Sequence, residues 1–295
     1  MSALTTRTLV LPHGVTLECL ASGAAAAPER APRVMLLHGF PEAAFIWEPV
    51  MTELGPQVQC LAPNLRGFAG SSTPPDIAAY RARHLVADIS AAIEATGAPV
   101  DVLVAHDWGG ALAWGLAALR PDLLRHLLII NSPHPATFLR ELLFNPAQQA
   151  ASAYMTFLCR PDAQALLSEN DFARLWPFFG QAAWLTPALK QRYREVWSRG
   201  LDGALNYYRS SPLRPPQGPD DALHALQLPP STTQVSVPTT VLWGERDKAL
   251  LPGLLNGLDA HVPQLRVVRV PEASHWLVHE QPQRVVQEIR LAMGS

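Results

Sequence analysis

Val104-Ala105-His106-Asp107-Trp108-Gly109-Gly110 directly follows the run Asp101-Val102-Leu103-Val104, and Leu112 to Leu119 continue from it in an Ala-rich helical pattern. A strand, a sharp turn of small residues and then a helix is the context of a nucleophile elbow, whose motif Gly-x-Ser-x-Gly carries Ser at its tip. Here the tip is the carboxylate of Asp107. Ala105 stands where the first Gly is usual and is small enough to fit the turn.

Outward from this stretch, short apolar runs alternate with helical patterns. Arg7 to Leu11 and Val15 to Leu20 predict a leading β-hairpin with His13-Gly14 at its turn. Arg33-Val34-Met35-Leu36-Leu37 and Val58-Gln59-Cys60-Leu61-Ala62 read as buried strands. Leu85, Ile89, Ala92 and Ile93 line one face of a predicted helix over 85–95. Val100 to Val104 and Leu123 to Ile130 supply two further strands. The alternation stops near Pro135 and resumes at Thr239-Thr240-Val241-Leu242-Trp243. Arg266 to Val270 then gives a last strand and Gln281 to Met293 a last helix.

That order predicts an α/β fold with a mostly parallel twisted sheet covered by helices on both faces. The intervening stretch has helical patterns, many aromatics and a Pro-rich tail that includes Pro212, Pro215, Pro216, Pro219, Pro229 and Pro230. It reads as a helical lid at 136–232 inserted between core segments 1–135 and 233–295. The alanine run Ala24 to Ala27 is placed in a loop.

The bulk numbers fit a soluble globular protein of roughly one to two domains: 295 residues, 48% apolar, 16% charged, net charge −2. Such a charge leaves no footprint for nucleic acid or anionic lipid. Lys190 and Lys248 are the only lysines. Cys19, Cys60 and Cys159 are odd in number and far apart, so neither a disulfide framework nor a metal site is expected. The N-terminus lacks a basic start with a long apolar run, and no stretch nears the ~20 apolar residues of a membrane span. The expected setting is cytoplasmic.

In a parallel sheet, ligands bind beyond the carboxyl ends of the strands. The residues just past the predicted strands are His38-Gly39-Phe40-Pro41-Glu42, Asp107, Gly244-Glu245-Arg246-Asp247 and Ser274-His275-Trp276. Asp107, Asp247 and His275 stand in the nucleophile–acid–histidine order of an α/β-hydrolase. Asn131, after the sixth strand, cannot serve as the acid. Each residue also has a plainer reading: Asp107 as a helix cap, His275 as a buried structural histidine, Asp247 as a turn residue beside Glu245.

With these segments the chain resembles the epoxide hydrolase and haloalkane dehalogenase branch of the α/β-hydrolases. The resemblance runs through residues 38–42, Asn64-Leu65-Arg66-Gly67-Phe68, the Asp elbow, Asn131-Ser132-Pro133-His134-Pro135 and both later triad segments. An Asp that attacks an sp3 carbon leaves an ester that water can cleave, whereas a Ser would leave an ether. His275, supported by Asp247, would activate that water. The resemblance and the elbow geometry assign the oxyanion to the backbone N–H groups of Phe40 and Trp108. Phe40 and Trp108 are also expected to line the substrate cleft, and Pro41 is expected to be cis.

The leaving group is read from the inserted stretch. Tyr154-Met155-Thr156-Phe157 is similar to the first tyrosine segment of epoxide hydrolases. Asn206-Tyr207-Tyr208-Arg209 resembles their Asn-Trp-Tyr-Arg segment, which makes Tyr208, not Tyr207, the second acid. A phenol stays protonated at neutral pH and can donate to an alkoxide. Dehalogenases share a Trp beside the nucleophile, here Trp108. Yet one subgroup has Asn where this chain has Phe40, another uses a lid Trp (Trp176, Trp184 and Trp197 are unplaced candidates), and fluoroacetate dehalogenases have Arg at the position of Trp108. His106, His134 and Glu42 read as structural support. The resemblance therefore implies a cofactor-independent hydrolase of small apolar epoxides. The rivals are a haloalkane dehalogenase and a non-catalytic ligand receptor.

Overall fold

The computed structural model describes residues 4–23, 31–97 and 99–294, so the alanine run at 24–27 lies outside the described residues. β1 (Thr5–Val10) and β2 (Thr16–Ser22) form the antiparallel hairpin, with Gly14 at φ 84° supplying the left-handed turn. There follow β3 (Arg33–Leu37), α1 (Glu48–Leu54), β4 (Gln59–Pro63), α2 (Ala82–Glu94), β5 (Val100–His106), α3 (Asp107–Leu119) and β6 (Leu124–Ile130). The sheet has eight strands in the order β1-β2-β4-β3-β5-β6-β7-β8, where β7 is Thr239–Gly244 and β8 is Leu265–Val270. All pairs from β4 to β8 are parallel; β2 joins β4 antiparallel.

β5 is buried almost throughout, as its Val-rich run requires of a central strand covered on both faces. α2 and α3 pack together, α1 packs on α12 (Pro282–Met293), and both α3 and α12 lie against β5 and β6. α12 turns Val285, Val286, Ile289 and Ala292 inward, a helical apolar stripe. The order reverses between β3 and β5. That puts the loops after these two strands side by side at a switch point, where a crevice opens.

Most boundaries shift by one to three residues from the sequence expectation, and two differences have a local cause. α3 begins at Asp107 itself rather than at Leu112, because packing holds the Trp108-Gly109-Gly110 turn in helical form. β6 begins at Leu124, since Pro121–Leu123 winds as a 3-10 turn, as suits a proline with fixed φ and no N–H for the ladder.

Between β6 and β7 the chain forms α4 (Pro135–Phe144), α5 (Pro146–Ala151), α6 (Tyr154–Leu158), α7 (Ala163–Phe172), α8 (Trp176–Phe179), α9 (Pro187–Trp197) and α10 (Asp202–Ser210). The Pro-rich segment after α10 carries only short 3-10 turns. α11 (Leu277–Glu280) precedes α12. Among the described residues, no helix is long and apolar enough to cross a membrane.

Candidate active site

Asp107 is the first residue of α3 and sits at φ +50°. Left-handed backbone at a non-glycine residue costs about 1–3 kcal/mol, and surrounding contacts must hold it there. Ser132 Oγ donates to the Asp107 carbonyl at 2.6 Å, and Gly109 N–H donates to the His38 carbonyl at 3.0 Å. A Cβ on Gly109 would lie 2.6 Å from that carbonyl oxygen, so the elbow and the β3 loop approach this closely only with glycine. Asp107 does not cap its helix. Its Oδ1 instead accepts from Phe40 N–H at 2.8 Å. Gly39 makes room, since a Cβ there would meet Oδ1 at 2.2 Å. The Phe40–Pro41 peptide is cis, as the resemblance implies.

His38 clamps the loop that carries Phe40. Its Nδ1 lies 3.0 Å from the Gly39 carbonyl, and Leu65 N–H donates to its Nε2 at 3.1 Å. A carbonyl only accepts and an amide only donates, so Nδ1 bears the proton. Burial pushes the His38 pKa down to about 4, which keeps this ring neutral.

Across the elbow, His275 Nε2 is 3.8 Å from Asp107 Oδ2, and Nδ1 is 2.7 Å from Asp247 Oδ2. Asp247 is buried, and its other oxygen accepts from the Ala249 and Leu250 amides at 2.8 and 2.9 Å. Burial opposes ionisation of Asp247, but the His275 charge and these bonds leave its carboxyl below the usual range. For His275, burial favours the neutral ring; Asp247 and Asp107 outweigh it and raise the pKa to about 9. Glu245 accepts from Arg269 instead, so it is not the partner of His275.

Tyr154 from α6 and Tyr208 from α10 complete the surround. Their rings meet edge to face with centroids 6.2 Å apart, and Tyr208 also packs on Phe40 and Trp108. Burial, followed by the Asp107 charge, lifts the Tyr154 phenol above its ordinary pKa; burial and then Tyr154 do the same for Tyr208. Both phenols therefore stay protonated at neutral pH. Tyr207 is turned away, its hydroxyl donating to the Arg66 carbonyl at 2.9 Å. Asp107, Tyr154 and Tyr208 line two cavities at once. One, of about 450 Å³, is walled by carbon, including Trp108, Leu112, Phe138 and Met155. The other, of about 590 Å³, holds Phe40, His275 and Asp247.

The alpha/beta hydrolase fold family matches residues 32–282. The chain belongs to this family. It is 34% identical to the AB hydrolase superfamily protein YfhM of Bacillus subtilis strain 168, over 94% of each chain. It is 33% identical to epoxide hydrolase 3 of Xenopus tropicalis, over 94% of this chain and 74% of that protein. A crystal structure of Bacillus megaterium epoxide hydrolase in complex with an inhibitor superposes with a TM-score of 0.87 at 29% identity, covering 98% and 100% of the two chains.

Two features of this alpha/beta hydrolase's site were not foreseen. Asn131, set aside as an acid, donates through Nδ2 to Asp247 Oδ2 at 2.9 Å and through the same nitrogen to the Gly244 carbonyl at 3.1 Å. It orients the carboxylate it could not replace. Glu42, expected as support, is fully buried. His279 Nε2 lies 2.7 Å from its Oε1, and the Tyr193 hydroxyl donates to the same atom at 2.6 Å. His106 Nδ1 lies 3.4 Å from the other oxygen, while His106 Nε2 reaches the His275 carbonyl at 2.9 Å. Burial disfavours the Glu42 charge, but His279 and His106 outweigh it, and the carboxyl ends below its usual range. His279 and Tyr193 carry no sequence signal of this role, because neither follows a strand. His134 is a buried strut, as expected: its Nε2 lies 2.9 Å from the Thr233 carbonyl and its Nδ1 caps α4.

Proposed function

We propose that this chain hydrolyses epoxides to vicinal diols, with water and no cofactor. Oδ1 of Asp107 is held by an amide, so Oδ2 is the nucleophile. It attacks an epoxide carbon as the ring C–O bond breaks, and the alkoxide takes a proton from Tyr154 or Tyr208. The product is an ester on Asp107 with a tyrosinate beside it. Alkylation removes the Asp107 charge that helped raise the His275 pKa. With its pKa lowered, the imidazolium gives its proton to solvent and the neutral ring is free to act as a base; it regains a solvent proton once the Asp107 charge returns.

His275 takes a proton from water, and the hydroxide attacks the ester carbonyl. The developing oxyanion is Oδ1, which Phe40 N–H already faces at 2.8 Å. Trp108 N–H, in the first turn of α3 and without an intrahelical acceptor, is the second donor. Collapse releases the diol oxygen with the proton from His275. The proton left on the Asp107 carboxyl returns to the tyrosinate.

The observation that carries this reading is the pair of protonated tyrosines from the helical insertion, Tyr208 buried and Tyr154 half-buried, that share both cavities with the Asp107 carboxylate. A halide leaving group needs neutral N–H donors instead. Trp176, Trp184 and Trp197 line neither cavity at Asp107, and two of their indoles are engaged elsewhere, Trp176 on the Asp171 carbonyl and Trp197 on the Pro41 carbonyl. Residues 136–232 act as the lid, on a core made of 1–135 and 233–295, and shape the cleft for a small apolar epoxide. Three unpaired cysteines, the Cys19 thiol pushed up to about 12 by burial, suit a reducing cytoplasm.

A paired assay tests the reading. Purified protein is given an aryl epoxide and a bromoalkane, and diol and bromide are measured. Diol without bromide is expected. Bromide alone makes the chain a dehalogenase, and silence on both with tight ligand binding makes it a receptor.

A further inference from the structure

The two cavities that meet at Asp107 differ in charge as well as in polarity. In the carbon-walled cavity, the charged lining groups are Asp107 and Arg83, and Arg83 Nε already donates to His84 Nε2 at 3.2 Å. The second cavity carries Arg246, Asp247, Lys248 and Glu280 together with Asp107 and His275. Its anions are saturated by their own donors. Asp247 takes the His275 ring, Asn131 and two amides, and Glu280 accepts from Ser274 N–H and Oγ–H, both at 2.7 Å. The neighbouring Glu245 is occupied by Arg269 at 2.8 Å.

Its two outer cations are not saturated. Arg246 and Lys248 are exposed, and among the described residues neither forms an ion pair within 4.0 Å or a side-chain hydrogen bond. They flank Asp247 on the loop after β7, so the buried acid points inward while the residues on either side line the cavity. Unpaired cations in a cleft that ends on an anionic nucleophile offset the repulsion that nucleophile would exert on an anionic substrate.

We infer that Arg246 and Lys248 form an anion subsite, and that the preferred substrate is an epoxide with unlike arms: one apolar arm in the carbon-walled cavity, and one ending in a carboxylate against these two residues. The assignment rests on the epoxide-hydrolase reading of the site. Arg246 and Lys248 are specificity residues here and take no part in bond making.

The test uses phenyl epoxides bearing carboxylate arms of increasing length, each paired with its methyl ester, alongside a neutral phenyl epoxide. For the arm that reaches the pair, kcat/KM for the acid should exceed that for its ester by about tenfold, equivalent to about 1.4 kcal/mol. The preference should shrink as salt is added. In an Arg246→Gln/Lys248→Gln variant the ratio should fall to about one. Because it is a ratio, any general damage to the neighbouring Asp247 cancels. A ratio near one for every arm in the wild type, or a preference that survives the double substitution, overturns the subsite. Loss of the preference in Arg83→Gln alone moves the anion to the other cavity and also overturns it. Turnover of the neutral epoxide without acid preference defeats this assignment only; no diol from any epoxide defeats the hydrolase reading along with it.

Discussion

The two walls of the site are built by different means. The core wall is held by short polar contacts: Phe40 N–H on Asp107, His275 on Asp247, Asn131 behind Asp247 and Ser132 on the elbow carbonyl, all between 2.6 and 2.9 Å. The helical wall is held mostly by rings. Tyr154 and Tyr208 sit against each other and among Phe40, Trp108 and Phe178 at centroid separations of 5.0 to 6.2 Å. Hydrogen bonds fix direction as well as distance, whereas edge-to-face rings tolerate sliding at small cost. The proposed chemistry follows this division: the core wall would make and break the ester, which needs fixed geometry, and the helical wall would protonate and shape, which tolerates substrates of several shapes.

Substitutions should separate the walls, beginning with the most damaging. Asp247→Asn should slow hydrolysis of the ester by up to about 10⁴-fold, as loss of a histidine-orienting carboxylate does elsewhere. Its pH profile is the sharper readout. His275 must be neutral to act, so ester hydrolysis gains base as pH rises through the His275 pKa of the alkylated enzyme, which lies below the free-enzyme value of about 9 because the Asp107 charge is gone. Removing the Asp247 charge and hydrogen bond should move that inflection lower. An unmoved inflection would detach Asp247 from the site. Tyr154→Phe with Tyr208→Phe should cost about 10²–10⁴ in epoxide opening, the range of general-acid catalysis. Single-turnover alkylation measures this, and near-normal rates would remove the tyrosines from the mechanism.

The smaller effects concern stability. Gly109→Ala, which drives a methyl against the His38 carbonyl, should cost about 1–3 kcal/mol in a denaturation curve. Glu48→Gln should cost less than about 1 kcal/mol, although it breaks the Arg192–Glu48 clasp between α9 and α1. That pair is partly exposed and therefore screened.

The same division explains what the sequence made legible. Asp107, Asp247, His275 and Phe40 all follow strands, and a parallel sheet lines such positions along one crevice, so strand ends could be read directly. The elbow needed only a strand, small residues and a helix. Tyr154 and Tyr208 have no such address. Helical aromatics pack in cores more often than they face a ligand, and only the family resemblance distinguished Tyr208 from Tyr207, whose hydroxyl proves to be spent on Arg66. Asn131 and the Glu42–His106–His279–Tyr193 cluster were not legible as a network, because their partners come from four separate stretches of chain. The shape of the two cavities depends on how α4 to α10 settle, which no local pattern encodes.

The central claim is that Asp107 becomes an ester and His275 releases it. The direct test is His275→Ala incubated with an aryl epoxide, digested and weighed peptide by peptide. The account predicts that the peptide containing Asp107 gains the mass of one epoxide and keeps it, while the wild type turns the same epoxide over. An unmodified Asp107 peptide in the variant, under conditions where the wild type forms diol, would contradict it.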